Sequence, residues 1–427
     1  MVREMKHTEI GEIPVEWEIQ TFEETFRMLS NNTLPRAEMN NCGGTVRNVH
    51  YGDILTRFGE VLDCEKDEVP YLKDGSLLTA SAQVLQDGDL ILADTAEDDT
   101  VGKATEVYGL GKGSMVAGLH TIPCRVKKGD FVPKWLGYYM NSPIYHNQVL
   151  PYVTGIKVSS ISKTAISETL IAVPPLEEQR VIVSALSEVD RLLVELKKVV
   201  SKLRDFKRGC LYLMFPQDGT DVPQMREPGY GEPWERRKMG DVCDYVDYRG
   251  KTPTKTETGI FLVTAKNVKN GYIDYDSSKE YIAEEDYEEV MHRGKPKIGD
   301  VLITTEAPCG NVAQVNSVNI ALAQRIIKYR GYEKVVDNTY MKHYLLSPVF
   351  QKILAVKSSG GTVQGIKGSI LHQQVIQYPT YDEQVSIGQY LDTLDLLITL
   401  HQQKFDKYSQ IKKAMMNELI TGKIKLV

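Results

Sequence analysis

Residues 176–215 read LEEQRVIVSALSEVDRLLVELKKVVSKLRDFKRGCLYLMF, with no proline and a single glycine, Gly209. Ile182, Leu186, Val189, Leu193, Leu196, Val200 and Leu203 recur at alternating steps of four and three. That alternation is the apolar seam of a coiled coil, whereas a lone amphipathic helix shows a wider stripe at a period of 3.6. At 1.5 Å per residue, about 38 helical residues reach ~57 Å, too long for an ordinary globular helix. Upstream, Pro174-Pro175 stops the preceding pattern, because the residue before a proline avoids the helical region.

The chain divides outward from this stretch. Residues 1–173 mix short apolar runs such as Asp89-Leu90-Ile91-Leu92-Ala93 and Leu170-Ile171-Ala172-Val173 with Gly and Asn turns. That mixture predicts a strand-rich globular domain, followed by a long helix over 174–215. Residues 216–233, PQDGTDVPQMREPGYGEP, read as a linker. A second mixed domain is expected over 234–379, and a second long helix with a tail over 380–427. The fold class is α+β.

The second half repeats the first. Residues 115–215 fall on 320–420 at a constant offset of 205, without a gap. Ser142-Pro143 falls on Ser347-Pro348, Glu178-Gln179 on Glu383-Gln384, and Asp190 on Asp395. Leu186, Val189, Leu193 and Leu196 fall on Leu391, Leu394, Ile398 and His401. Gly88-Asp89-Leu90 is echoed by Gly299-Asp300-Val301 at an offset of 211, so the first domain carries extra residues between those points. The second seam is Ile387, Leu391, Leu394, Ile398, His401, Phe405 and Tyr408, with His401 read as a packed or register-setting polar residue. One seam needs a partner, and pairing the two copies is economical; their relative direction stays open at this level. A protein built twice on one plan suits a target that itself has two similar halves.

Bulk properties set limits. The 427 residues, 42% hydrophobic and 25% charged, allow several domains with full cores. No apolar run approaches the ~18–20 residues of a membrane span, and the N-terminus MVREMKHTEIGEIPVEW lacks the apolar core of a secretory signal. The expected location is cytoplasmic, away from membranes. Cys42, Cys64, Cys124, Cys210, Cys243 and Cys309 show no paired short spacing, so reduced and mostly buried thiols are expected, with no metal and no cofactor. A net charge of −6 and a pI near 5.9 argue mildly against nucleic acid, although an acidic protein can present one basic face.

With these segments in hand the chain resembles the specificity (S) subunit of type I restriction–modification systems. The resemblance is carried by Ile10-Gly11-Glu12-Ile13-Pro14-Val15-Glu16-Trp17, by its counterpart Gly231-Glu232-Pro233-Trp234-Glu235, and by the strand-to-helix junction Val173-Pro174-Pro175-Leu176-Glu177-Glu178-Gln179. The second junction, Tyr378-Pro379-Thr380-Tyr381-Asp382-Glu383-Gln384, lacks one proline. No single motif is specific; their order, spacing and duplication are. The resemblance implies two target recognition domains, each reading half of a split site in double-stranded DNA. It implies an antiparallel coiled-coil spacer with an approximate two-fold, docking of two methyltransferase subunits, and a motor–nuclease subunit that joins them. The S subunit itself would catalyse nothing.

Candidate DNA contacts follow from residue type, since Asn and Arg pair with adenine and guanine and glycine-rich loops approach phosphates. In the first domain they are Asn31, Asn32, Thr33 and Arg36, then Arg47, then Lys157 within Thr154–Ser160. In the second they are Arg249, Lys251, Thr252, Thr254 and Lys255, then Lys266, Asn267 and Lys269, then Lys357, Thr362 and Lys367. For each, a surface turn is the plainer alternative. The basic tail of the first helix, Lys197 to Arg208, reads as a solvated helix face.

Enzyme signatures are missing. The one Pro-Pro sits between Val and Leu rather than in an Asn/Asp-Pro-Pro-Tyr/Phe motif, and no GxxxxGK[ST], HExxH or GxSxG occurs. Gly109-Leu110-Gly111-Lys112-Gly113-Ser114 reads as a hairpin tip. Two alternatives remain: the recognition part of a fused modification–restriction enzyme, and a scaffold whose paired domains bind polypeptides rather than DNA.

Overall fold

Prolines 174 and 175 end an extended strand and release the chain into a helix. In the computed structural model, which describes residues 3–155, 157–217, 219–250, 252–358 and 364–426, strand Leu170–Val173 pairs antiparallel with Glu18–Thr21 before helix Leu176–Leu213 begins. Strand Val375–Tyr378 likewise pairs with Glu235–Lys238 before helix Tyr381–Leu419. The chain is mixed α and β and forms two compact units, one of residues 1–195 with 405–427 and one of residues 196–404. Each long helix therefore contributes one end to each unit.

In the first unit a five-stranded sheet runs Phe26–Met28, Thr121–Val126, Leu90–Ala93, Ala104–Tyr108, Val61–Asp63, antiparallel except for its last pair. A four-stranded sheet runs Ser114–Ala117, Val46–Val49, Tyr71–Leu72, Met39–Asn40. Gly109–Gly113 therefore link strands of two different sheets and are not the tip of a hairpin. The core centres on Trp17, edge-on to Trp135 at 6.3 Å, with Tyr139 and Tyr145 behind.

In the second unit four antiparallel strands run Cys243–Asp247, Ile326–Gly331, Val301–Thr305, Cys309–Gln314. A smaller sheet runs Tyr281–Ile282, Ile260–Val263, Ile320–Leu322, the last pair parallel. Phe215, Trp234, Tyr340 and Tyr344 form the aromatic centre.

Residues at corresponding places make like contacts. Gln179, fully buried, accepts from the Val132 amide at 3.0 Å and donates to the Pro174 carbonyl at 2.9 Å. Gln384 accepts from the Asp337 amide and donates to the Pro379 carbonyl, each at 2.9 Å. Glu178 takes two hydrogen bonds from Arg3, and Glu383 takes two from Arg226. Arg226 lies in the stretch expected to be a linker; that bidentate pair, with buried Pro223 and Trp234, packs the stretch against the helix start.

Within each unit the two helix segments run in opposite directions. In the first, Glu178 and the Gly422 carbonyl share Arg3, while Asp190 meets Lys412 at 2.6 Å. In the second, Lys207 meets Asp395 at 2.5 Å and Arg204 meets Gln402 at 3.2 Å. Ile182, Leu186, Leu196 and Val200 are buried, as are Ile387, Leu391 and Leu394; Ile398, His401, Phe405 and Tyr408 are half-buried. Cys124, Cys210 and Cys243 are buried, Cys64 and Cys309 are half-buried, and Cys42 is exposed, so only half of the six thiols lie inside.

Candidate nucleic-acid interface

In the second unit, strand Cys243–Asp247 delivers a loop to the surface. Tyr248 is buried and its hydroxyl donates to the Gly294 carbonyl at 2.5 Å, anchoring the loop base. Arg249 is half exposed and held on Asp247 by Nε at 2.8 Å and Nη2 at 2.5 Å. Thr252 and Thr254 are exposed, and Lys255 pairs with Glu280 at 2.8 Å. A cleft of about 300 Å³ opens beside the loop, lined by Arg249, Thr252, Thr254, Arg293 and Gln324, with Asp286 and Glu289 also facing it. Lys266, Lys357 and Lys367 are exposed and Lys269 is half-buried. Lys251 and Thr362 lie outside the described residues.

Two asparagines singled out as base readers are interior. Asn267 is fully buried: its oxygen accepts from the Thr264 amide and hydroxyl, and its nitrogen donates to the Asp274 and Ser278 carbonyls. Asn32 is also fully buried, bonding Asn48 at 3.2 Å and accepting from Thr79 and the Leu34 amide. Both shape turns instead of facing solvent, because a side chain that mimics a backbone turn is spent on it. Arg47 is half-buried and donates to the Cys64 and Leu110 carbonyls, which ties down the Leu110–Gly113 link. In the first unit Asn31 donates to the Gly118 carbonyl, Arg36 is paired with Asp53, and Thr33 and Lys157 are exposed.

A cleft of about 570 Å³ in the first unit is lined by Asp87, Asp89, Glu106, Tyr108 and Arg125. Arg125 is neutralised by Asp89 through bonds of 2.7 and 2.6 Å. Burial pushes the Glu106 carboxyl up to about 7, although the Lys134 and Gly137 amides donate to it. A wall so acidic is poorly suited to phosphate.

His343, Asp392 and Asp395 form the one grouping with metal-ligand reach among the described residues. Lys342 already bonds Asp392, and Lys207 bonds Asp395. The two ammonium groups supply the positive charge a cation would bring, so the cluster reads as packing between helices.

Arg293 and Gln324 escape a reading of sequence because they stand 44 and 75 residues from Arg249, and only the sheet topology brings them to its loop. Among the described residues no helix is long and apolar enough to cross a membrane.

Comparison with known proteins agrees with this architecture. The family model described as the type I restriction modification DNA specificity domain matches residues 14–202 and again residues 231–408. A Methanocaldococcus jannaschii protein named for the specificity subunit of the type I restriction enzyme MjaX is 23% identical over 99% of this chain and 96% of its own length. The Escherichia coli EcoKI specificity subunit is 20% identical over 67% of this chain and 65% of its own. The crystal structure of the Type-I restriction-modification system S subunit from M. genitalium superposes with a TM-score of 0.55 at 12% identity, covering 98% of this chain and 99% of that one. A second chain, from work on assembly and conformational transition of the type I R-M system, superposes with a TM-score of 0.56 at 18% identity, covering 96% and 99%. The two family matches together span most of the sequence, and the chain belongs to the type I restriction–modification DNA specificity family.

Proposed function

We propose that this specificity subunit reads a split site in double-stranded DNA, one half with each unit, and docks two methyltransferase subunits along its long helices. A motor–nuclease subunit joins that complex, and this chain contributes recognition without chemistry. The proposed layout is two target recognition domains, 1–173 and 234–379, with spacer helices at 174–215 and 380–427 forming an antiparallel coiled coil. The stretch 216–233 then connects the first spacer helix to the second recognition domain.

The observation that carries the reading is the pairing of Lys207 with Asp395 and of Lys412 with Asp190. At the 205 offset Lys207 becomes Lys412 and Asp395 becomes Asp190, so each pairing maps onto the other, as an approximate two-fold between antiparallel copies requires. Two-fold readers of a duplex engage half-sites separated by about one helical turn, ~34 Å, or a multiple of it. Helices of 38 and 39 residues at 1.5 Å per residue are long enough to hold such a gap, at ~57 Å.

The test is single-molecule sequencing of genomic DNA from the source strain with this gene intact and deleted. Loss of methylated adenine at one two-part motif with a fixed gap is expected. Unchanged methylation while the partner subunits are expressed would remove the reading and favour a polypeptide-binding scaffold.

A further inference from the structure

The second unit presents a group of polar side chains whose remaining hydrogen-bond capacity is specific. Arg293 Nη1 gives its hydrogens to two backbone carbonyls, Asp247 at 3.1 Å and Arg249 at 2.5 Å. These bonds fix the guanidinium plane and leave Nε and Nη2 without a partner among the described residues. Two other arginines of this unit are neutralised: Arg249 by Asp247 and Arg330 by Asp300. Arg293 has no ion pair among the described residues. Gly250, at φ +155°, lets the loop cross it; a Cβ there would lie 3.4 Å from Arg293 Nη2.

Across the cleft, Gln324 Nε2 donates to the Thr252 hydroxyl at 3.0 Å. Among the described residues one amide hydrogen and the amide oxygen have no partner. A free N–H beside a free C=O is the set that matches the N7 and N6 edge of adenine, and two parallel guanidinium N–H groups match guanine O6 and N7. Asp286 and Glu289 line the same cleft. Two carboxylates repel a phosphate but accept from the exocyclic amines of bases. The lining therefore suits a base edge better than the backbone.

We infer that the cleft beside Tyr248–Gly250 and Thr252–Thr254 reads purine edges in the major groove, with Gln324 on an adenine and Arg293 on a guanine of one half-site. Thr252 and the Asp247 and Arg249 carbonyls are positioning groups that hold the two readers. The inference rests on the DNA reading proposed above and assigns residues to it.

The experiment uses the full chain assembled with its modification subunits. Competition binding is measured on duplexes bearing the mapped site and its single-base substitutions. Gln324→Ala is expected to reduce discrimination at one adenine by about 10- to 100-fold, and Arg293→Lys at one guanine by a similar factor, with the other half-site unaffected. Gln324→Glu, which keeps the shape but removes the amide donor, should disfavour that adenine and guards against a packing defect in the alanine variant. Unchanged discrimination in all three variants overturns the inference. So does a uniform loss on every duplex with a salt dependence shallower by about one unit of slope, because that marks a phosphate contact. A wild-type complex with no sequence preference defeats the DNA reading itself, which separates the two failures.

Discussion

Asn267 spends its entire side-chain amide on the chain around it: two bonds from Thr264, one to Asp274 and one to Ser278, all at 2.8–2.9 Å. Asn267→Ala would strand buried groups that each cost about 1–3 kcal/mol when unpaired. A loss of ~2–4 kcal/mol in urea unfolding is expected, while the folded fraction keeps its sequence preference; altered preference without destabilisation would contradict the structural role. His343 offers a pH test. It is fully buried, its Nε2 lies 2.7 Å from Asp392, and its Nδ1 has no partner among the described residues. Burial pushes the imidazole down to about 4 against the hydrogen bond to Asp392, which acts to raise it. The folded state thus binds fewer protons than the unfolded state between about pH 6.5 and 4, so stability falls as pH drops through that window. His343→Gln should flatten that part of the stability–pH curve; an unchanged slope would place the titration elsewhere.

At the scale of elements, the long helices are held by a few charged pairs set among apolar seams. Lys412 lies 2.5 Å from Glu60 and 2.6 Å from Asp190, and Tyr138 donates to the same Asp190. Among the described residues Lys207 meets Asp395 alone, although Lys342 and His343 crowd the neighbouring Asp392. Removing one partner of a largely buried pair leaves an uncompensated charge. Lys412→Met should therefore cost more than Lys207→Met, about 2–4 against about 1–2 kcal/mol, because it leaves two carboxylates facing each other. Urea titration of both variants checks the order, and equal losses would show that Glu60 contributes nothing. Half-buried His401 fits among these apolar positions because its Nδ1 bonds the Leu397 carbonyl one turn back.

For the whole molecule, a net charge of −6 means that any duplex affinity comes from local cations and not from the average field. Binding by the complete complex should then fall steeply with salt, by about 0.9 in log–log slope per neutralised phosphate; a flat response would favour a polypeptide partner. The α+β class and the strand-to-helix junctions were legible in the sequence, because hydrophobic period and prolines are properties of neighbouring residues. Asn32 and Asn267 have the residue type of a base reader, yet burial spends them, and residue type does not report burial. Arg293 and Gln324 were invisible for the converse reason: nothing local distinguishes them, and parallel pairing of Ile260–Val263 with Ile320–Leu322 helps carry Gln324 to the Arg249 loop. The periodic elements can be read from residue order alone, since they follow from local sterics and alternating burial. Which polar side chains stay free for a partner is set by packing, because it depends on which distant carbonyls and carboxylates reach them first.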